Sequence, residues 1–178
     1  GLDFESNASN DVLNYSQYVG QNPFSEKSIE PSPLDRILKQ SAPGANWSMG
    51  SGHEIKFDYL TNSATDNIKY YLASSSWNAA KELYDISLVQ NGTTNYSANT
   101  LYKTITKNEN WIAGSDNTIE LYKNSEGKLV LKRTFENNIA HDIYYVYDQY
   151  GNQVYVIPPL VTNVSVQMDG LCYQYKYD

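Results

Sequence analysis

The chain has 178 residues, 40% of them hydrophobic, which suits one ordinary domain with a buried core and argues against wholesale disorder. Acidic residues outnumber basic ones by 20 to 13, so a nucleic-acid or phosphate-binding surface is not expected. A single cysteine excludes an internal disulfide framework, and two histidines leave little material for a Cys/His metal site.

Residues 1–20 are polar and lack a sustained period, which predicts an irregular N-terminal lead-in. Strand-length segments of alternating hydrophobicity then follow, with turn signals between them. The clearest segment, 53–59, is predicted to form a hairpin with residues 68–72. Further strands are predicted at 84–88, 101–107, 118–122, 128–135, 142–147, 153–157 and 171–177. Helical signal is weak, with 77–83 and 33–40 as the candidates.

This pattern predicts an all-β fold of consecutive antiparallel β-hairpins with little helix. The 17 tyrosines agree with sheets that have one half-wet face, because the ring packs while the hydroxyl reaches water. No linker or charge block divides the chain. Residues 21–178 are therefore predicted to form a single β-hairpin unit. No apolar run is long enough to span a membrane.

The segment 145–154, YVYDQYGNQV, contains a turn motif in which each residue has a mechanical role. Tyr147 ends one strand, Asp148 caps the turn through backbone N–H groups, and Gly151 supplies a positive φ. Gly151→Ala is expected to cost about 1 kcal/mol or more. Asn91 and Gly92 predict a turn that leads into a longer loop, where Gly92→Ala should cost less.

Looser copies of this turn motif occur earlier in the chain. Residues 121–130 keep Tyr122 and Gly127 with one extra turn residue. In residues 29–37, Asp35 occupies the glycine position, and Asp tolerates left-handed geometry better than most residues. The final residues, YKYD, form the first half of another copy. The chain is therefore predicted to be a fragment of a longer repeat array.

The pattern Y-x-Y-D-x-x-G-x-x-V resembles the tyrosine-aspartate (YD) repeat of bacterial RHS-type proteins. Segments 22–44 and 50–59 resemble the region that precedes the repeats, and segments 141–148 and 156–159 complete the likeness. The resemblance implies a structural β-hairpin scaffold at the cell surface, associated with the cell wall, or secreted. In some relatives this scaffold is a shell around a toxic C-terminal effector. The chain lacks the self-cleaving core segment and has too few repeats to close a shell. We therefore carry over no toxin, protease or release activity from the resemblance.

Two adjacent pairs, His53-Glu54 and His141-Asp142, are the candidates for acid/base chemistry. Neighbouring residues of a strand point to opposite faces, so neither pair forms a dyad by itself. Cys172 falls on the polar face of its predicted strand, which argues against a nucleophile. No phosphate-binding or calcium-binding loop is present in the sequence. We therefore assign no catalytic, cofactor-binding or metal-binding residue, and we do not expect an enzyme.

Trp47, Trp77 and Trp111 lie in polar, small-residue contexts that predict irregular loops. Two interpretations stay open. Each Trp folds back over the end of a sheet, or the three rings stack on sugars in a carbohydrate-binding β-sandwich. The first interpretation is favoured, because spacings of 30 and 34 residues suit one anchor per hairpin pair. The expected partners are the remaining repeats of the same chain, with a cell-surface glycan or protein as the alternative.

Overall fold

A computed structural model describes residues 22–177, and strands dominate it, with 47% strand against 8% helix. The first five strands are β1 (Lys27–Ile29), β2 (Ile37–Gln40), β3 (Ile55–Thr61), β4 (Lys69–Asn78) and β5 (Leu83–Asn95). They are followed by β6 (Tyr102–Lys107), β7 (Thr118–Lys123), β8 (Leu129–Glu136), β9 (Ile139–Tyr147) and β10 (Gln153–Ile157). Helix α1 (Val164–Leu171) and the short β11 (Tyr173–Gln174) complete the chain. The all-β prediction is confirmed.

Neighbouring strands pair in an antiparallel sense. The hydrogen-bonded order in one sheet is β1-β2-β3-β6-β7-β8-β9-β10-β11, and β4 pairs with β5 in a second sheet. The pairs β1–β2, β2–β3, β7–β8, β8–β9 and β9–β10 join strands that are consecutive in sequence. The prediction of consecutive antiparallel hairpins is therefore confirmed, with the β4–β5 hairpin inserted between β3 and β6.

The predicted hairpin of residues 53–59 with residues 68–72 is wrong. Strand β3 lies between β2 and β6, whereas β4 pairs with β5 from Lys69↔Asn95 to Asn78↔Leu83. Alternation in a sequence defines the face of a strand but not its neighbour, so the pattern of β3 suits either arrangement. Residues 77–83, a helix candidate, form the end of β4 and its turn into β5, and residues 37–40 of the other candidate form β2.

Gly92 lies within β5 and not in the predicted turn. The register of the β4–β5 pair shifts near it, between Lys69 and Tyr71, and its φ of +80° fits a bulge. The premise that a relaxed loop surrounds Gly92 is therefore wrong, because both sides of the residue are paired strand.

The predicted terminal strand over residues 171–177 is wrong except at Tyr173 and Gln174. Leu171 is the last residue of α1, and the strand that follows contains just Tyr173 and Gln174. Asn163 caps the helix by accepting a 3.1 Å hydrogen bond from the backbone N–H of Ser165. The strand prediction failed because this local cap starts a helix in a segment that has few other helical signals.

The chain divides into two compact units, each described here by itself. Within the described residues, the first unit comprises 22–58 and 105–118, and the second comprises 59–104 and 119–177. The predicted lead-in, residues 1–20, lies outside the described residues. The single array unit predicted for 21–178 stays a prediction.

The first unit contains three buried residues among those described, and all are polar: Ser41, Glu54 and Thr118. Its β1–β2 hairpin is closed by Arg36, which donates to Glu30 through Nε at 2.8 Å and Nη2 at 2.7 Å. Hydrogen bonds from Arg36 and Ser32 lower the pKa of Glu30 to about 2. Hydrogen bonds and ion pairs between polar side chains therefore contribute to the stability of this unit.

The second unit contains the hydrophobic core. Strands β4, β7, β8, β9 and β10 supply most of it, and α1 adds Val164. The buried apolar residues are Ile68, Tyr71, Ala73, Leu101, Tyr122, Val130, Leu131, Tyr144, Val146, Val154, Tyr155, Ile157 and Val164. Because the inserted β4–β5 hairpin contributes Tyr71 and Ala73, it is a structural part of this unit.

Asn62 joins the two ends of the β4–β5 insertion. The residue is 1% exposed, and its Oδ1 accepts hydrogen bonds from the backbone N–H groups of Thr100 at 2.9 Å and Leu101 at 2.8 Å. Its Nδ2 donates to the carbonyl of Ser97 at 2.8 Å. One buried amide side chain therefore holds the point where the chain leaves β3 to the point where it enters β6.

A tyrosine-lined cleft as the candidate functional site

The turn between β9 and β10 is built on Asp148. Its Oδ1 accepts hydrogen bonds from the backbone N–H groups of Tyr150 at 3.0 Å and Asn152 at 2.9 Å. The carbonyl of Asp148 accepts from the N–H of Gly151 at 3.0 Å. Gly151 has a φ of +84°, the positive value predicted from the sequence. The turn thus uses the side chain and the backbone of the same aspartate.

Asp148 also ties this turn to strand β4. Ser75 Oγ donates to Asp148 Oδ2 at 2.7 Å, and Gln149 exchanges hydrogen bonds with the backbone N–H and C=O of Ser75 at 2.9 and 2.6 Å. Burial would raise the pKa of Asp148, which is 6% exposed, but the hydrogen bonds from Ser75, Asn152 and Tyr150 outweigh it and lower the pKa. Asp148 is therefore a charged anchor between hairpins. Sequence reasoning missed Ser75 and Gln149, because 74 residues separate them.

The turn between β7 and β8 repeats this geometry around Asn124. Its Oδ1 accepts from the N–H groups of Glu126 at 3.1 Å and Lys128 at 2.9 Å, and its carbonyl accepts from Gly127 at 2.9 Å. Gly127 has a φ of +79°. Each of these hydrogen bonds has a counterpart at Asp148, which lies 24 positions later in the sequence. The two turns are structural copies of one another.

The ladder beside each turn repeats as well. Lys123↔Leu129 and Tyr122↔Leu131 in the first hairpin correspond to Tyr147↔Gln153 and Val146↔Tyr155 in the second. Each hairpin therefore skips one residue at the same place, which is a bulge at Val130 and at Val154.

This equivalence corrects the predicted alignment of the motif. Lys123, and not Tyr122, occupies the position of Tyr147, and the first turn contains no extra residue. Tyr122 is fully buried, and its hydroxyl donates to Glu120 at 2.6 Å. Asp35, the glycine substitute in the earlier copy, has the expected positive φ of +47°.

A cleft of about 440 Å³ lies in the second unit between these two turns and the β4–β5 hairpin. Its aromatic lining is Tyr70, Tyr71, Tyr96, Tyr145, Tyr147 and Tyr150. Tyr145 and Tyr147, two positions apart on strand β9, both line the cleft. The rings of Tyr70 and Tyr96 meet edge to face with centroids 4.8 Å apart.

The cleft lining carries one positive charge, at Lys128, and two negative charges, at Glu126 and Asp148. Lys128 Nζ lies 2.7 Å from Glu126 Oε2 and 5.6 Å from the centroid of the Tyr147 ring. Both oxygens of Asp148 already accept hydrogen bonds within the protein. Burial raises the pKa of Tyr147 and raises that of Tyr96 to about 12, so both hydroxyls are protonated at neutral pH. The Tyr147 hydroxyl donates to the carbonyl of Leu129 at 3.0 Å, so the cleft combines tyrosine rings with charged side chains.

A half-buried ionic cluster lies elsewhere in the second unit. Arg133 donates to both oxygens of Asp142, at 2.6 and 2.8 Å, and to the carbonyl of Asp66 at 3.1 Å. The hydrogen bonds that Arg133 donates to Asp142 raise the pKa of Arg133 against the opposing effect of burial. The His141 side chain is half-buried, and its Nε2 lies 3.9 Å from Glu136 Oε2. Asp142 is thus engaged by Arg133 and does not pair with His141.

The other candidate pair, His53-Glu54, is separated in the same way. His53 packs on the Trp47 ring at 5.0 Å, and its Nδ1 lies 3.1 Å from the carbonyl of Glu109. Glu54 is buried and accepts from the backbone N–H of Gly50. Backbone hydrogen bonds lower the pKa of Glu54 despite its burial. Both residues make structural contacts within the first unit.

The structure places the three tryptophans in different settings. Trp47 belongs to a short 3-10 helix, and Trp111 lies against Lys56 and Lys107, whose Nζ atoms are 5.5 and 4.5 Å from its ring centroid. Trp77 lies on strand β4, where it packs on Tyr84 at 5.2 Å, so its prediction as a loop residue is wrong. Trp47 and Trp111 belong to the first unit and Trp77 to the second.

A family model described as a domain of unknown function (DUF6443) matches residues 2–61 of the chain. No curated protein and no solved structure matches the chain. Among residues 22–177, no group of three or more His, Cys, Asp or Glu side chains is placed to hold a metal ion. In the same part of the chain, no helix is long and apolar enough to cross a membrane.

Proposed function

We propose that this chain is a non-catalytic structural module of an RHS/YD-repeat protein that is secreted or displayed on the cell surface. The observation that carries the proposal is the pair of equivalent hairpins around Asn124 and Asp148, which have the same turn bonds and the same bulge. Hairpins that recur at a fixed interval are the signature of a repeat array.

The role of the repeat motif is mechanical. Asp148 caps its own turn and binds Ser75, so one side chain shapes a hairpin and fastens it to another hairpin. The two turns share their backbone geometry, and an asparagine Oδ1 accepts the same backbone hydrogen bonds at Asn124 as a carboxylate does at Asp148. These contacts support a scaffold and call for no reacting group.

The native polypeptide tests this proposal. We would isolate it from the producing cells with an antibody against this chain, and map its length and peptides by mass spectrometry. The expected result is a longer protein with further turns of the Asp/Asn-x-x-Gly type, recovered from the surface or culture fraction. A native chain that ends near Asp178, or one retained inside intact cells, would contradict the proposal. Surface biotinylation of intact and lysed cells, with a known intracellular protein as control, distinguishes the two locations.

A further inference from the structure

We propose that Lys103 forms an intramolecular isopeptide bond with Asp66, and that Glu120 carries the protons of this reaction. The proposal starts from a contact between these three side chains in the second unit. Lys103 Nζ lies 3.0 Å from Asp66 Oδ1 and 3.0 Å from Glu120 Oε1. One amine therefore meets two carboxylates, so one carboxylate can react while the other acts as a base. A scaffold of folded hairpins does not require such a bond.

Separate parts of the fold bring the three groups together. Asp66 ends a short 3-10 helix (Ala64–Asp66) before β4, whereas Lys103 and Glu120 lie on the neighbouring strands β6 and β7. The side chains of Lys103, Asp66 and Glu120 are 11%, 14% and 11% exposed, so water has little access to them. The Lys81–Asp85 ion pair of the same unit is 59% and 43% exposed and therefore offers a comparison in solvent.

A tyrosine and an arginine fix this geometry. Tyr122 is fully buried, with its ring centroid 5.2 Å from Lys103 Nζ, and its hydroxyl donates to Glu120 Oε2 at 2.6 Å. The other oxygen of Glu120 is thereby left to face Lys103. Arg133 donates to the backbone carbonyl of Asp66 at 3.1 Å and so holds the turn in place. Fixed proximity of this kind replaces the high concentration that amide formation in water otherwise needs.

Ser63 prepares the Asp66 carboxyl group for attack. It donates to Asp66 Oδ2 through its backbone N–H at 2.7 Å and through Oγ at 3.1 Å. These donors are placed to stabilise the negative charge that develops on Oδ2 when an amine attacks Cγ. Burial would raise the pKa of Asp66, but the hydrogen bonds from Ser63 and Lys103 outweigh it and lower the pKa. The reaction therefore starts from a carboxylate, and its protons come from the Lys103 ammonium group.

The reaction balances without a co-reactant. Glu120 takes one proton from the Lys103 ammonium group, and the free amine attacks Cγ of Asp66. The Cγ–Nζ bond forms and the Cγ–Oδ1 bond breaks. Two of the three ammonium protons pass through Glu120 to Oδ1, which leaves as water, and the third stays on the amide nitrogen. The amide closes a covalent loop around the β4–β5 hairpin, which restricts the unfolded chain as a disulfide would.

Intact-mass spectrometry of the purified, folded chain tests for this bond. We expect a mass that is lower than the sequence mass by one water molecule. Trypsin should then release a branched peptide in which residues 57–69 are joined to residues 82–107, because it does not cleave after an acylated lysine. A parent chain that keeps its full sequence mass after prolonged incubation, or a water loss located in other peptides, would overturn the proposal.

Variants assign the roles of the side chains. Lys103→Arg removes the nucleophile but keeps the charge, so it should show its full sequence mass. Glu120→Gln still accepts the Tyr122 hydrogen bond but not a proton, so bond formation should slow by about 10²–10⁴-fold. Lys81→Arg is the matched control and should be linked as fully as the parent.

Two outcomes would refute these roles. A water loss in Lys103→Arg would exclude this lysine as the nucleophile, and full linkage in Glu120→Gln would exclude Glu120 as the proton carrier. Circular dichroism checks that each variant is folded. If Glu120→Gln does not fold, the masses of the parent and of Lys103→Arg still decide whether the bond forms.

Discussion

Three glycines of the second unit allow the cost of a side chain to be separated from the cost of backbone strain. Gly127, Gly92 and Gly151 have φ values of +79°, +80° and +84°, so alanine meets nearly the same left-handed strain at each. Their surroundings differ. A Cβ at Gly127 meets no atom within 4 Å, and one at Gly151 meets the end of the Lys128 side chain. A Cβ at Gly92 lies 2.5–2.6 Å from two ring carbons and the hydroxyl oxygen of Tyr71.

The magnitudes follow from these contacts. Left-handed strain costs about 1 kcal/mol at each position, which is the whole expected loss for Gly127→Ala. Lys128 is flexible and gives up an exposed ion pair of little value, so Gly151→Ala should cost about 1–2 kcal/mol. Tyr71 is 8% exposed and packs on Tyr144 with centroids 5.0 Å apart. Its ring cannot move freely, and the overlap adds about 1–3 kcal/mol, giving about 2–4 kcal/mol for Gly92→Ala.

Urea unfolding followed by circular dichroism measures the series. With an m-value of about 2 kcal/mol per M, Gly92→Ala should lower the midpoint by about 1–2 M, and Gly127→Ala by about 0.5 M. A double-mutant cycle with Tyr71→Val should recover most of the excess loss, since the smaller side chain removes the overlap. If Gly92→Ala is no worse than Gly127→Ala, or if the cycle shows no coupling, the close approach of Tyr71 to Gly92 is refuted. This order reverses the expectation from sequence, which placed Gly92 in a loop.

Asp148→Asn should lose about 1–3 kcal/mol at pH 7, because hydrogen bonds to a charged group are lost. Since the folded-state pKa is lowered, this contribution is complete above the unfolded pKa of about 4 and is lost as pH falls below it. Urea midpoints that differ from the parent equally at pH 3 and pH 7 would contradict this. Arg133→Ala should cost about 2–3 kcal/mol, because the half-buried Asp142 loses its ion-pair partner although the Tyr144 hydroxyl still donates to it. Arg133→Lys should cost about 1–2 kcal/mol, as thermal unfolding would show, and equal losses would exclude a role for the bidentate geometry. For Tyr96, whose pKa rises to about 12, folding stability is full below pH 10 and falls as pH rises to 12, so Tyr96→Phe should lose less stability than the parent between pH 9 and 11 in urea titrations.

Much of the strand content was predictable, because it depends on short-range patterns. Alternating hydrophobicity predicted strands β6 to β10, and the positions of Gly127 and Gly151 in their turns predicted a positive φ at each. Both features are decided within about ten residues of sequence. The fold class therefore followed from local information.

The predictions that failed concern features that depend on residues distant in sequence or on the alignment of the two turns. The pairing of β4 with β5 and the contacts of Ser75 with Gln149 join segments that no local pattern connects. The cap at Asn124 was missed because Tyr122 seemed to anchor the motif, although only bond geometry defines the register. The cleft was unpredictable for the same reason, since its tyrosines come from separate strands.

The hydrogen bonds of Asn62 have a consequence for the order in which the second unit folds. Asn62 contacts Leu101 across 39 residues, a loop whose closure is entropically costly for an unstructured chain. If β4 and β5 pair first, in the microseconds typical of a hairpin, the loop between Asn62 and Leu101 contains only the short segments before β4 and after β5 as unpaired chain. We expect early formation of this hairpin, with a φ-value near 1 for substitutions such as Ser76→Ala in its ladder, and a φ-value near 0 for Asn62→Ala. Formation of the inserted hairpin would then bring the end of β3 close to the start of β6 before the Asn62 side chain forms its hydrogen bonds with Thr100 and Leu101.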